Sequence, residues 1–175
     1  MKEVIDKMIN KKDLRYLKTE KLIKDTYLSL RKKNKKNIKV NELCNEALIN
    51  KSTFYAHYET IEIFHQKFCK EIVDNIINNS SHIDCAISDT KSFVISLVES
   101  LKRNEKLISI LFDDRLNLIN LVEDNLLQRY LKMNDFKGRE NELIFAIGGA
   151  TRLLIHDQSK DRIEATIKLI QMIIL

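Results

Sequence analysis

Proline and tryptophan are absent from this chain of 175 residues, and glycine occurs only at positions 138, 148 and 149. Tight hairpins and dinucleotide-binding loops need Gly or Pro where the backbone takes special angles. Residues 1–137 contain neither, so the expected fold class is all-α. The patterns GxxxxGK[ST], GxGxxG and GxSxG are missing as well, which removes the enzyme classes that depend on them. No enzyme activity, cofactor or metal is expected. Cys44, Cys69 and Cys85 are odd in number, and the first two fall in helical patterns, which suggests reduced thiols in a cytoplasm. No segment reaches the roughly 18 apolar residues of a membrane span. Met1 to Asp13 carries scattered charges in place of an apolar signal core, so neither membrane insertion nor export is expected.

What is present is an uneven charge. Residues 1–58 hold 13 Lys and 2 Arg against 3 Asp and 4 Glu, a balance of +8 within a total of +5, which leaves −3 for the remainder. An asymmetry of that size points to a polyanion partner for the N-terminal third alone.

Apolar residues at three- and four-residue spacing predict helices over Leu14–Arg31, Ile38–Ala47, Lys51–Tyr58 and Ile61–Asn79. Further helices are expected over Thr90–Asn104, Lys106–Phe112, Leu116–Met133, Glu140–His156 and Asp161–Leu175. In the first helix the expected apolar stripe is Tyr16, Leu22, Ile23, Thr26, Tyr27 and Leu30. A basic break with Lys32, Lys33, Lys35 and Lys36 follows it, and a polar joint spans Asn78–Asp89.

The helices at Ile38–Ala47 and Lys51–Tyr58 are short and joined by only Leu48, Ile49 and Asn50, a helix-turn-helix pattern. Asn50 is expected to cap the second helix through its side-chain oxygen. Phe54 and Tyr58, four apart, can anchor one face in a core. That turns Lys51, Ser52, Tyr55 and His57 outward, where a helix entering a major groove meets bases and phosphates.

At Ile38–Tyr58, which ends in Thr53-Phe-Tyr-Ala-His-Tyr58, the chain resembles the tetracycline-repressor (TetR) family of transcriptional regulators, and Thr19–Leu30 looks like that family's first helix. The similarity covers residues 19–68. Phe145–Ile155 and the apolar last helix resemble the end of the dihydroxyacetone-kinase-regulator subgroup. The resemblance implies a cytoplasmic homodimer that binds a palindromic operator on double-stranded DNA, more a repressor than an activator. Its head would be residues 1–62, with 1–13 as an extension, and its effector and dimerisation body residues 63–175. Control would come from a small-molecule effector, or from a protein partner in a helical adaptor of the same shape.

Carried over residue by residue, the DNA contacts are Lys39, Asn41, Asn50, Lys51, Ser52, Thr53, Tyr55 and His57, with Lys35 and Lys36 from the basic break. Three departures stand out, one being a loop after Leu30 that is about one residue shorter than usual and unusually basic. Leu48 replaces the family's turn glycine, so the connector must avoid a positive φ or tolerate about 1–3 kcal/mol of strain. Ile61 stands where many members have a backbone-contacting Lys.

In the body, Phe93, Leu97, Phe112, Leu116, Tyr130, Phe145 and Arg152 are the candidate effector-pocket lining. Gly148 and Gly149 each cost a helix roughly 1 kcal/mol relative to Ala, which a close helix–helix approach would justify. With Leu153, Ile167, Ile170 and Ile174 they form the expected dimer interface. His65 and Cys69 have the spacing of two ligands on one metal, but two ligands do not make a site.

Overall fold

The computed structural model describes residues 2–33 and 36–174, with side chains described from Leu14 onward apart from Asn134. Among the described residues there are nine α-helices, one 3-10 turn and no strand, so the all-α expectation holds. The chain divides into two compact units, Met1–Phe68 and Cys69–Leu175. The division falls later than the expected boundary after residue 62. Phe64 and Phe68, 0% and 4% exposed, are part of the first unit's core and carry its limit into a helix.

The first unit contains α1 (Lys2–Lys32), α2 (Val40–Glu46), α3 (Lys51–Tyr55) and the start of α4 (Ile61–Asn78). The first helix begins well before Leu14. Residues 2–13 hold no Gly or Pro and include four Lys, which carry a helix well. Its buried stripe is narrower than the spacing predicts. Ile23, Thr26, Tyr27 and Leu30 are buried, whereas Tyr16 and Leu22 face solvent. A cluster of rings runs through the core. Phe64 takes Tyr27 edge-on at 5.0 Å and Tyr58 at 4.8 Å, and stacks on Phe68 at 5.7 Å. Such pairs add about 0.5–1.5 kcal/mol each beyond the area they bury.

The second unit contains the rest of α4, then α5 (Thr90–Arg103), α6 (Glu105–Leu111) and α7 (Arg115–Tyr130). A 3-10 turn (Asn134–Phe136), α8 (Glu140–His156) and α9 (Lys160–Ile174) complete it. α8 packs against α7 on one side and α9 on the other, and α9 also lies on α5. This core is mostly aliphatic, with Val94, Leu111, Val122 and Leu143 almost wholly buried.

Asp89 and Asp114 cap α5 and α7 by accepting from the amides of Ser92 (3.0 Å) and Asn117 (2.9 Å). Ser100 Oγ donates to the Ile76 carbonyl at 2.7 Å, and Ser80 and Ser96 share a hydroxyl hydrogen bond at 2.8 Å. These small side chains let α4 and α5 approach closely while satisfying their own polar atoms. The polar joint before α5 is fastened by buried Ile83, whose carbonyl accepts from the Tyr130 hydroxyl. Gly138, at φ +82°, makes the turn into α8, a conformation that L side chains rarely adopt. No helix among the described residues is long and apolar enough to cross a membrane.

Candidate nucleic-acid interface

The segment of α2 and α3 is held from beneath by its own apolar residues. Ile38, Leu43, Cys44 and Ala47 are buried under α2, and Phe54 (0% exposed) and Tyr58 are buried under α3 and the turn after it. Phe54 packs edge-on to Phe64 at 6.3 Å and lies 5.8 Å from Tyr58. The α3 helix ends at Tyr55, three residues before the expected end, and closes in a tight turn. There His57 and Tyr58 both donate to the Phe54 carbonyl, at 2.9 Å.

The connector is a Schellman turn. The Ile49 amide donates to the Cys44 carbonyl at 3.0 Å and the Leu48 amide to the Asn45 carbonyl at 3.3 Å. That geometry requires a left-handed residue after the helix cap, and Leu48 supplies it at φ +54° with 91% of its surface exposed. Of the two outcomes the leucine allowed, strain is the one the fold takes. Asn50 occupies the cap position of α3, but its side chain makes no capping hydrogen bond. Its backbone carbonyl accepts from Thr53 at 2.9 Å instead.

The predicted contact residues mostly share the outer surface of this segment. Lys39, Asn41, Asn50, Lys51, Ser52 and Tyr55 are exposed, and Thr53 and His57 are half-buried. Lys36 is exposed, while Lys35 lies outside the described residues. Lys33 is drawn into a 3.2 Å ion pair with Glu46, which at that exposure contributes less than about 1 kcal/mol. Ile61 is half-buried at the start of α4 and offers no charge there.

Three participants were not evident from the sequence. Arg31 is buried and donates to the Lys36 carbonyl at 3.4 Å, which ties down the far end of the basic break. Tyr16 stacks on His57, with ring centroids 3.9 Å apart and planes within 22°. Glu20 accepts from the Tyr58 hydroxyl at 3.1 Å and pairs with Lys24 at 3.0 Å. The signal for the last two was the i, i+4 step from Tyr16 to Glu20 to Lys24, which puts them on one face of α1.

Burial pushes the Glu20 carboxyl up, but the hydrogen bonds from Lys24 and Tyr58 outweigh it and hold it below the usual carboxylate value. Burial also lowers His57, and the nearby Glu20 charge only partly offsets this. His65 Nδ1 shares a 2.9 Å hydrogen bond with the Tyr27 hydroxyl. No group of three metal-ligating side chains occurs among the described residues.

The seven effector-pocket candidates do not come together. Phe93, Leu97 and Tyr130 line an apolar cavity of about 40 Å³, room for little more than a water or two. Phe112 borders a separate open groove of about 510 Å³. Phe145 and Arg152 border a third, of about 420 Å³, and Leu116 lines none of the three.

The dimer-interface candidates separate as well. Ile167, Ile170 and Ile174 are buried inside the protomer. Gly148 and Leu153 are half-buried and Gly149 is exposed. The outward face of α8 and α9 is instead formed by Ile144, Phe145, Leu169 and Met172, with Phe145 71% and Met172 82% exposed. A Cβ on Gly149 would meet nothing within 4 Å in the protomer, whereas one on Gly148 would touch the Glu123 carboxylate at 4.0 Å.

No family model matches the chain, and neither a curated protein nor a solved structure is significantly similar to it.

Proposed function

We propose that this protein is a sequence-specific DNA-binding regulator of the TetR type, a repressor that occupies a near-palindromic operator as a homodimer. The observation that supports the reading is the pair of short helices α2 and α3 and the turn between them. Their rings are buried beneath, and Lys39, Asn41, Lys51, Ser52 and Tyr55 share their exposed surface within a segment of balance +8. Lysine on such a surface gives salt-dependent affinity by releasing counterions, and the start of α3 would meet base edges.

The apolar outward face of α8 and α9 supports pairing with a second copy, since side chains such as Phe145 and Met172 gain by leaving water. Two heads so paired would reach successive major grooves roughly 34 Å apart. One observation favours the adaptor variant, in which a protein partner takes the place of a small ligand. The cavity lined by Phe93, Leu97 and Tyr130, at about 40 Å³, is too small for an effector.

The test is binding of the purified protein to duplex DNA flanking its own gene, against a scrambled duplex, across a salt series. Selective binding that weakens steeply with salt, and a Lys51→Ala variant whose salt slope falls by about one, are expected. Equal, weak binding to both duplexes would leave only a basic head and overturn the reading.

A further inference from the structure

One polar atom of the first unit is at odds with its surroundings. His57 is half-buried, yet its Nδ1 is fully buried and has no hydrogen-bond partner. The ring is held there from two sides. Tyr16 of α1 lies parallel to it at 3.9 Å, and on the same helix Glu20 fixes the neighbouring Tyr58 through its hydroxyl at 3.1 Å. Tyr16 is 46% exposed, so it does not hold the core together, and its visible work is on the histidine.

The chemistry of an imidazole in this setting is restricted. A neutral ring carries one N–H and one lone pair, and an N–H buried without an acceptor is the costlier of the two to strand. The fold therefore favours the lone pair on Nδ1 and the proton on Nε2. A second proton on Nδ1 would have no acceptor, and this is the same burial that pulls the group's pKa down. The charged groups on this side are Glu20, which attracts a proton to the ring, and Lys24, which is paired to Glu20 at 3.0 Å. Tyr58 uses its hydroxyl on Glu20.

We propose that Tyr16 is a positioning residue for the DNA interface: by stacking on His57 it fixes the ring with Nδ1 inward, so that His57 offers Nε2–H as a neutral donor to the operator backbone. This rests on the DNA-binding reading and adds to it a contact between the long first helix and the turn that follows α3. It also assigns the contact a definite tautomer. A neutral donor positions without adding to the salt dependence, whereas the lysines do the reverse.

The experiment has two arms on the full-length protein. In the first, imidazole ¹⁵N chemical shifts and couplings are followed through a pH titration of the wild type, Tyr16→Phe and Tyr16→Ala. The wild type and Tyr16→Phe are expected to show the Nε2–H form and a titration below the ordinary histidine value. Tyr16→Ala is expected to show mixed tautomers and a titration that moves back up. Circular dichroism should give the same helix content for all three.

In the second arm, operator affinity should fall roughly three- to tenfold in Tyr16→Ala, as for one lost hydrogen bond, and be restored in Tyr16→Phe. The salt slope should not change. A tautomer and titration that ignore Tyr16→Ala would overturn the clamp. A responsive ring with unaltered affinity would overturn its part in the interface. Failure of the wild type to select any operator over scrambled DNA would instead overturn the underlying reading, and the ring data would show that separately.

Discussion

The two units differ in what they bury and in the surfaces they carry. In Met1–Phe68 five buried rings, Tyr27, Phe54, Tyr58, Phe64 and Phe68, share the core with aliphatic side chains such as Ile23 and Leu43, and the surface around α2 and α3 carries Lys39, Lys51 and their polar neighbours. In Cys69–Leu175 the buried side chains are largely aliphatic, and the conspicuous exposed residues are apolar: Ile144, Phe145, Leu169 and Met172. A cationic surface gains free energy when it displaces counterions from a polyanion, and an apolar one when it loses contact with water. On the proposed reading the first surface would meet nucleic acid and the other a second protein face. Salt should weaken one association and leave the other largely intact.

The largest effect expected of a single change tests how far the ring cluster carries the first unit. Phe54→Ala removes a wholly buried ring from beneath α3 and should cost about 3–5 kcal/mol. Hydrogen exchange should then show protection lost in α2 and α3 and retained in α8. Retained protection in α2 and α3 would mean that the cluster is not what supports them.

A charge on the apolar face sharpens the other half of the comparison. Phe145→Glu with Met172→Glu alters two side chains that are 71% and 82% exposed, so the protomer's own stability should change by less than about 1 kcal/mol. Self-association measured by sedimentation equilibrium should nevertheless fall by at least tenfold, through desolvation of the new carboxylates. A double variant that associates like the wild type would place the contact elsewhere.

Leu48→Gly should stabilise the first unit by about 1 kcal/mol, because the left-handed backbone at φ +54° penalises a Cβ. An unchanged urea midpoint would indicate that the extra freedom of glycine in the unfolded chain cancels the relief.

The smallest effect is that of pH. His57 and Glu20 both titrate below their ordinary values of 6.5 and 4.5 in the folded chain. The unfolded chain therefore takes up protons first as the pH falls, and these protons favour unfolding. Stability should be complete above the ordinary histidine value, decline below it, and decline again as the carboxylate range is entered. His57→Gln should remove the first decline from urea midpoints recorded across that range, and persistence of the decline would assign it to another group.

Much of this was legible in the sequence because helices declare themselves locally. The absence of proline and the three- to four-residue apolar spacing placed every helix after the first within a few residues of its observed ends, and the α8 bounds, Glu140–His156, coincide with the expected ones. Phe54 and Tyr58 were identifiable as anchors because their spacing puts them on one helical face. The Leu48 connector was identifiable as a choice between two backbone conformations.

What spacing cannot convey is which of several apolar residues an element turns inward. Ile167, Ile170 and Ile174 read as an oily surface for a twin subunit, yet all three are buried against the protomer's own helices, and Leu169 and Met172 are exposed in their place. Phe112 and Phe145 read as pocket lining beside Phe93 and border different grooves. Tyr16 read as part of the buried stripe of α1 and is instead the cover of His57.

The sequence by itself determined that the chain is helical, where its helices run, and that its positive charge is concentrated in the first third. These follow from backbone freedom, periodicity and composition, which are properties of neighbouring residues. Only the tertiary structure decided that Leu48 is strained, that Nδ1 of His57 is buried without a partner, and that no effector-sized enclosed cavity opens among Phe93, Leu97 and Tyr130. Each of these depends on where residues distant in the chain come to rest, and close packing settles that for all of them together.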